Sequence, residues 1–147
     1  MQHCLSALPL AGLAYAATNG SGLAALAAAT ASVAIDCDHV TDYLLCNRGW
    51  DGVGHFFAMC EEGKLSRLYL LLHAWEWQVV LWLLVLAGLA PAWLTGLAIG
   101  LTGHLVLDSF GNRHLVRPSF YWLWVRASNG FDGNRLYRNR PQADTRV

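Results

Sequence analysis

Charge is scarce in this sequence. Charged residues make up 14% of its 147 positions, against about a quarter in an average soluble domain, and acids and bases cancel to a formal net charge of zero. Nothing global in such a chain advertises nucleic acid, which is not expected as a partner. Cysteine is sparse and scattered. Cys4, Cys37, Cys46 and Cys60 form no CxxC pair and no zinc-finger spacing, which argues against a disulfide framework or a structural zinc module and leaves mostly free thiols. The amino end lacks the basic residues of a secretory leader, since only Gln2 and His3 precede the apolar run from Cys4 to Ala17, so that run is expected to be retained as a helix. By length there is room for one folded unit only.

What is present is apolar surface. Hydrophobic residues account for 55% of the chain and the mean hydropathy is +0.33, a balance that points to the lipid bilayer as the main partner. The first apolar segment, His3 to Thr18, is closed by Asn19-Gly20-Ser21-Gly22, a turn-forming run. A second, Leu23 to about Leu45, is alanine-rich and turns acidic at Asp36-Cys37-Asp38-His39. Asn47 to Lys64, with four glycines among charged residues, reads as the main soluble loop. A third helix is expected from Leu65 to Leu89, carrying His73 and Glu76, and is broken by Ala90-Pro91. The fourth runs from Ala92 to Phe110 and carries His104 and Asp108. Pro118 to Val125 reads as a short aromatic interfacial helix, and Gly130 to Val147 as a polar, basic, mobile tail. The expectation is therefore an all-α integral membrane bundle of about four transmembrane helices over residues 1–113, with an interfacial aromatic segment and basic cytoplasmic tail over 114–147. Its helices are near the lower limit of about 20 residues that a bilayer core requires.

Orientation follows from the basic residues. Arg48, Lys64 and Arg67 flank the second connection and seven arginines follow helix 4, whereas the first and third connections have none. By the positive-inside rule both termini are expected in the cytoplasm. In that topology Asp36, Asp38, His39 and Asp42, then His73 and Glu76, then His104 and Asp108 all approach one end of the bundle, with His3 on the same side. Asp38 and Asp42 are spaced i,i+4, His73 and Glu76 i,i+3, and His104 and Asp108 i,i+4, so each pair shares a helix face. Few basic partners lie within the helices to match these acids. A carboxylate at mid-helix costs about 2.5–3.5 kcal/mol on insertion scales, and several together repel. A divalent cation relieves both penalties, and helix bundles build metal sites from such carboxylate and histidine sets. The ligand mixture suits Zn, Mn or Fe. The expected ligands of one or two ions are Asp36, Asp38, His39, His73, His104 and Asp108, with Glu76 or Asp42 as general base.

Asp36-Cys37-Asp38-His39 after a small-residue helix, followed by His73-Ala74-Trp75-Glu76 and by His104-Leu105-Val106-Leu107-Asp108, resembles the membrane-bound metal-dependent hydrolases of bacterial inner membranes. The likeness covers residues 3 to 113. Ile35 stands where that family usually has proline before the acidic motif, and the His-Arg segment common after it is not evident. The resemblance implies a multi-pass protein of the bacterial inner (cytoplasmic) membrane that uses its metal for hydrolysis at the cytoplasmic interface. A lipid-linked ester or phosphoester is the expected substrate, because its polar group sits at the depth of the acidic cluster. The same sequence also fits a non-catalytic small subunit of a larger assembly, binding partner helices, a second copy of itself or a pigment through His73 or His104. An ion transporter fits less well, since the Gly20 and Pro91 side is almost uncharged.

Overall fold

The first helical hairpin is closed by two consecutive left-handed residues, Asn19 (φ 54°) and Gly20 (φ 86°). Asparagine and glycine tolerate this conformation best, which is why the chain reverses there. Before the turn runs α1 (Gln2–Ala17); after it, the Ser21 side chain accepts the Ala24 N–H and starts α2 (Gly22–Ala34). The computed structural model describes residues 2–138, with side chains from Ser6 onward. The side chain of His3 and the segment carrying Arg140 and Arg146 lie outside the described residues.

Six further helices follow: α3 (Cys37–Asn47), α4 (Val53–Glu61), α5 (Trp75–Leu86), α6 (Ala92–Gly111), α7 (Leu123–Ser128) and α8 (Gly133–Leu136), with a 3-10 turn at Pro118–Tyr121. Among the described residues there is no strand. Two isolated bridges occur, Arg67 with Asp132 and Val116 with Tyr137.

α2 packs against both α1 and α6, which also touch one another, and α5 leans on α6. The α2–α6 contact is set by residue size. A Cβ on Gly96 or Gly100 would collide with the backbone carbonyls of Ala24 and Ala28 respectively, so only glycine permits this approach. Continuing at the same i,i+4 interval, the glycine row of α6 reaches His104 and Asp108, and the alanine row of α2 reaches Ser32, with Asp36 just beyond the end of that helix. Rows at this spacing are the ridges along which helices interdigitate. The close packing of small residues thus delivers four polar residues to one place.

Gly22–Asn47, taken through the bend at Ile35–Asp36, and Ala92–Gly111 are each long and apolar enough to cross a membrane. Leu23 and Leu26 on α2, Leu44 and Leu45 on α3, and Leu107 and Phe110 on α6 are exposed. Apolar side chains facing outward from such helices suit hydrocarbon rather than water. α1 and α5 are apolar but shorter. The 12 residues of α5 extend about 18 Å, well short of a core about 30 Å thick. The single helix expected from Leu65 to Leu89 is therefore not formed: Leu65 to Ala74 is non-helical and α5 begins only at Trp75.

Two other expectations are corrected. The connection from Asn47 to Lys64 is not simply a loop, because α4 occupies its middle, introduced by Gly52 at φ 101°. The tail is not entirely free, because residues 130–138 return to the body. Leu68 N–H donates to Phe131 O and Gly133 N–H to Ser66 O, both at 2.9 Å, and Arg138 N–H donates to Leu115 O at 2.8 Å. Val116, Phe120, Tyr121 and Leu136 join Ile35, Tyr43, Leu65, Leu68, Leu70 and Leu105 in one buried cluster. The C-terminal segment thereby packs against the polar end of the helices.

Candidate metal centre

The site begins with a fault in a helix. In a regular helix the Asp36 N–H would donate to the Ser32 carbonyl; here it donates to Val33 O at 3.2 Å, and the Asp38 and His39 N–H groups likewise reach back only three residues. The Ser32 carbonyl so released accepts from His104 Nδ1 at 2.7 Å. A carbonyl can only accept, so the His104 proton sits on Nδ1 and the lone pair of Nε2 points away from α2.

His73 arrives from a different kind of structure. It lies just before α5, in the non-helical stretch after Leu70, whose φ of 40° is unusual for a residue with a side chain. That stretch is held from both sides. Asp42 Oδ2 accepts the Leu70 N–H at 3.1 Å, and Asp38 Oδ2 accepts the N–H groups of Leu72 and His73. From the other side the fully buried Arg126 donates Nε–H to Tyr69 O (3.1 Å), Nη2–H to Leu70 O (2.9 Å), and Nη1–H to His73 O (2.9 Å) and Phe120 O (2.7 Å). Burial pulls the Arg126 pKa below its ordinary value, while Glu76, Asp38 and Asp42 oppose the change. The guanidinium uses its planar fork of donors to tie four carbonyls together.

Held in this way, His73 turns Nδ1 toward Asp38 Oδ2 (3.4 Å) and Nε2 toward His104 Nε2 (3.3 Å). Both histidines are completely buried. Around the two Nε2 atoms stand carboxylate oxygens. Asp36 Oδ1 is 3.3 Å from His104 and 3.8 Å from His73; Asp108 Oδ2 is 3.5 Å and 3.7 Å away. Zinc bonds of about 2.0–2.1 Å to nitrogen place neighbouring donors of a tetrahedral site roughly 3.3–3.5 Å apart. The observed separations lie at or slightly above that spacing.

Asp36, His73 and His104 each bring one ligand atom within 4.8 Å of the others, as do His39, His73 and Asp108. The His39 ring lies edge-on to His73 with centroids 4.9 Å apart, and its shielded Nδ1 has no hydrogen-bond partner. These five residues could hold a metal ion. The donor chemistry fits: the Nε2 atoms of two buried imidazoles face one another across a gap lined by two acids, and each ring's other nitrogen is turned to a carbonyl or a carboxylate. That arrangement orients histidine ligands in metal sites.

Three other residues expected at the site serve the backbone. Asp38 stands behind His73, on its Nδ1 side, and is not among the converging ligand atoms. Asp42 is 2% exposed and accepts from Leu70. Glu76 accepts the N–H groups of Leu123 (2.9 Å) and Trp124 (3.1 Å), capping the start of α7. Neither Asp42 nor Glu76 belongs to the groups whose ligand atoms meet. His55 is exposed and bonds Tyr43 through Nδ1 at 2.7 Å; His114 is exposed and bonds the Gly111 carbonyl. Cys37, Cys46 and Cys60 are free thiols. Burial pushes the Cys60 thiol up to about 12.

Sequence reasoning missed Arg126, which it grouped with the other arginines after helix 4. The available signal was its position immediately after Phe120 to Val125, a run too apolar and aromatic to lead into an exposed cation. No family model matches this chain, and comparison with curated proteins and with solved structures gives no match.

Proposed function

We propose that this protein is a membrane-embedded, metal-dependent hydrolase working at the cytoplasmic interface, and that its substrate is a lipid-linked ester or phosphoester. The observation that carries the reading is the 3.3 Å approach of the His73 and His104 Nε2 atoms between Asp36 and Asp108. Without a cation, this cluster can be neutralised only by protons shared between imidazole and carboxylate. With one, lone pairs and charges are both satisfied. Zn, Mn or Fe suits the mixture of imidazole and carboxylate. When bound, the ion supplies a water of lowered pKa and polarises the scissile group.

Within this reading, Asp36, His73, His104 and Asp108 bind the ion and His39 completes one side. Asp38 and the Ser32 carbonyl hold the two imidazoles in register. Two apolar helical stretches of membrane-crossing length support a bilayer location. The basic residues beside Asn47–Lys64 and after α6 support placing the polar end in the cytoplasm, in a bacterial inner membrane.

The test is elemental analysis of detergent-purified protein, paired with hydrolysis of lipid phosphoester and ester substrates. We expect about one transition-metal ion or more per chain, lost together with activity in His104→Ala and Asp36→Ala. Wild-type protein that stays metal-free after reconstitution with Zn, Mn and Fe, and behaves identically to both variants, would reject the proposal.

A further inference from the structure

Two cavities adjoin the cluster, the second of them through Asp108 alone. The first, about 550 Å³, has Asp36, His39, His73 and Asp108 on its wall, and is otherwise enclosed mainly by apolar side chains such as Phe57, Leu68, Val116 and Phe120. Its size falls within the range of about 300–1,000 Å³ common for small-molecule sites. The second, about 610 Å³, is bounded by Ser6, Asp108, Asn112 and Arg113, with Leu107, Phe110 and Gly111. Asp108 and Asn112 belong to both walls. Of the metal-capable residues, Asp36, His39 and His73 line the first cavity alone, and Asp108 also borders the cleft that carries the exposed Arg113.

We infer that the substrate is an amphiphile with one hydrocarbon chain in the first cavity and an anionic phosphate head directed toward Asn112 and Arg113 in the second. The inference rests on the hydrolase reading and deepens it by choosing phosphoester over neutral ester. Three observations support this occupant. The chamber wall is mainly apolar and carries Asp36, His39, His73 and Asp108 together, so a ligand with one reactive polar end fits and a uniformly polar one does not. Arg113 complements an anion, whereas a neutral ester gains little from it. The outward-facing apolar surfaces of α2, α3 and α6 mark a bilayer as the surroundings from which such a chain would enter.

α4 gives the chamber a distinctive wall. Phe56 and Phe57 line it, yet none of the residues of α4 is buried. Trp50, Val53 and Phe57 are at least half-exposed or nearly so, at 49%, 61% and 51%. A short helix whose apolar residues line the cavity and yet stay exposed suits the membrane interface, where a chain passes from bilayer to protein.

The experiment uses the full chain in phosphatidylcholine nanodiscs with two photoreactive probes, hexadecyl phosphate and hexadecyl acetate, each bearing a diazirine in mid-chain. Labelled peptides are mapped by mass spectrometry, and metal content is measured on the same samples. We expect both probes to label the chamber-lining segments around Phe57 and Val116. Val40→Trp, which fills the chamber from α3, should reduce that labelling at least fivefold without changing metal content. Arg113→Ala should weaken labelling by the phosphate probe alone, severalfold. Labelling confined to the outer faces of α2, α3 and α6, or unchanged in Val40→Trp, overturns the chain site while leaving the metal reading intact. Equal loss of both probes in Arg113→Ala, or no loss of either, overturns the phosphate assignment. Chamber labelling in a protein that binds no metal would instead sink the hydrolase reading and leave the chain site standing.

Discussion

His73 and His104 meet through their Nε2 atoms at 3.3 Å while their Nδ1 atoms are turned outward, one to the carboxylate of Asp38 and the other to the carbonyl of Ser32. Two imidazoles facing one another in this sense have no hydrogen to share unless one is protonated. Proton and metal ion therefore compete for the same lone pairs.

The first prediction concerns that competition. Metal affinity should fall as pH is lowered, because acid protonates the imidazoles and carboxylates that the ion needs free, and protons should be released when metal binds. Titration against a chromophoric chelator at several pH values measures both. Asp38→Asn, which leaves the converging donors in place but weakens the support behind His73, should lower affinity about 10–100-fold. A pH-independent affinity would show that the ion binds elsewhere.

Glu76 separates a chemical role from a structural one. Its carboxylate accepts two N–H groups at the start of α7. Glu76→Gln keeps one acceptor oxygen and should leave hydrolysis within a few-fold of wild type, while Glu76→Ala should cost about 0.5–2 kcal/mol of stability, as for other lost caps. If Glu76 is the general base, Glu76→Gln alone should cost about 10²–10⁴ in rate. Rates and unfolding midpoints of the two variants decide between these roles.

Arg126 should prove intolerant of lysine. Arg126→Lys retains the charge but offers a single ammonium in place of the fork that reaches Tyr69, Leu70, His73 and Phe120. With bonds to charged donors worth about 1.5–3 kcal/mol each, we expect a loss of at least about 2 kcal/mol. Hydrogen exchange should rise first in residues 69–73. Protection there equal to wild type would mean the carbonyls are held by other contacts.

Two glycines give a paired test of packing. Gly100→Ala drives a methyl group into the backbone carbonyl of Ala28 and should destabilise by about 1–3 kcal/mol, with His104 displaced and metal affinity reduced. Gly12→Ala, on α1, meets nothing within 4 Å and should be neutral or stabilising by up to about 1 kcal/mol. Thermal unfolding in detergent compares them.

Local pattern made some of this architecture readable and hid the rest. The hairpin at Asn19–Gly20, the start of α6 after Pro91, and the shared face of His104 and Asp108 each depend on residues within a turn or two, so spacing and turn chemistry exposed them. The stretch from Leu65 to Ala74 contains no proline or glycine and is rich in leucine, so hydropathy joined it to α5. Its actual course is fixed by Asp42 and Asp38 from about 30 positions earlier and by Arg126 from more than 50 later. Those partners are invisible to any short window. For the same reason the i,i+4 pair Asp38 and Asp42 does share a face, but that face grips backbone rather than a common ion.

The interruption at Asp36 ties two properties that most proteins can adjust separately. A substitution that restored the regular ladder, such as a stronger helix former in place of Asp36, would reclaim the Ser32 oxygen for the chain's own backbone and remove the acceptor that orients His104 Nδ1. Mending the irregularity would thus stiffen the rod and blunt the site together. Substitutions that raise thermal stability at these positions are therefore expected to loosen the hold on the His104 ring.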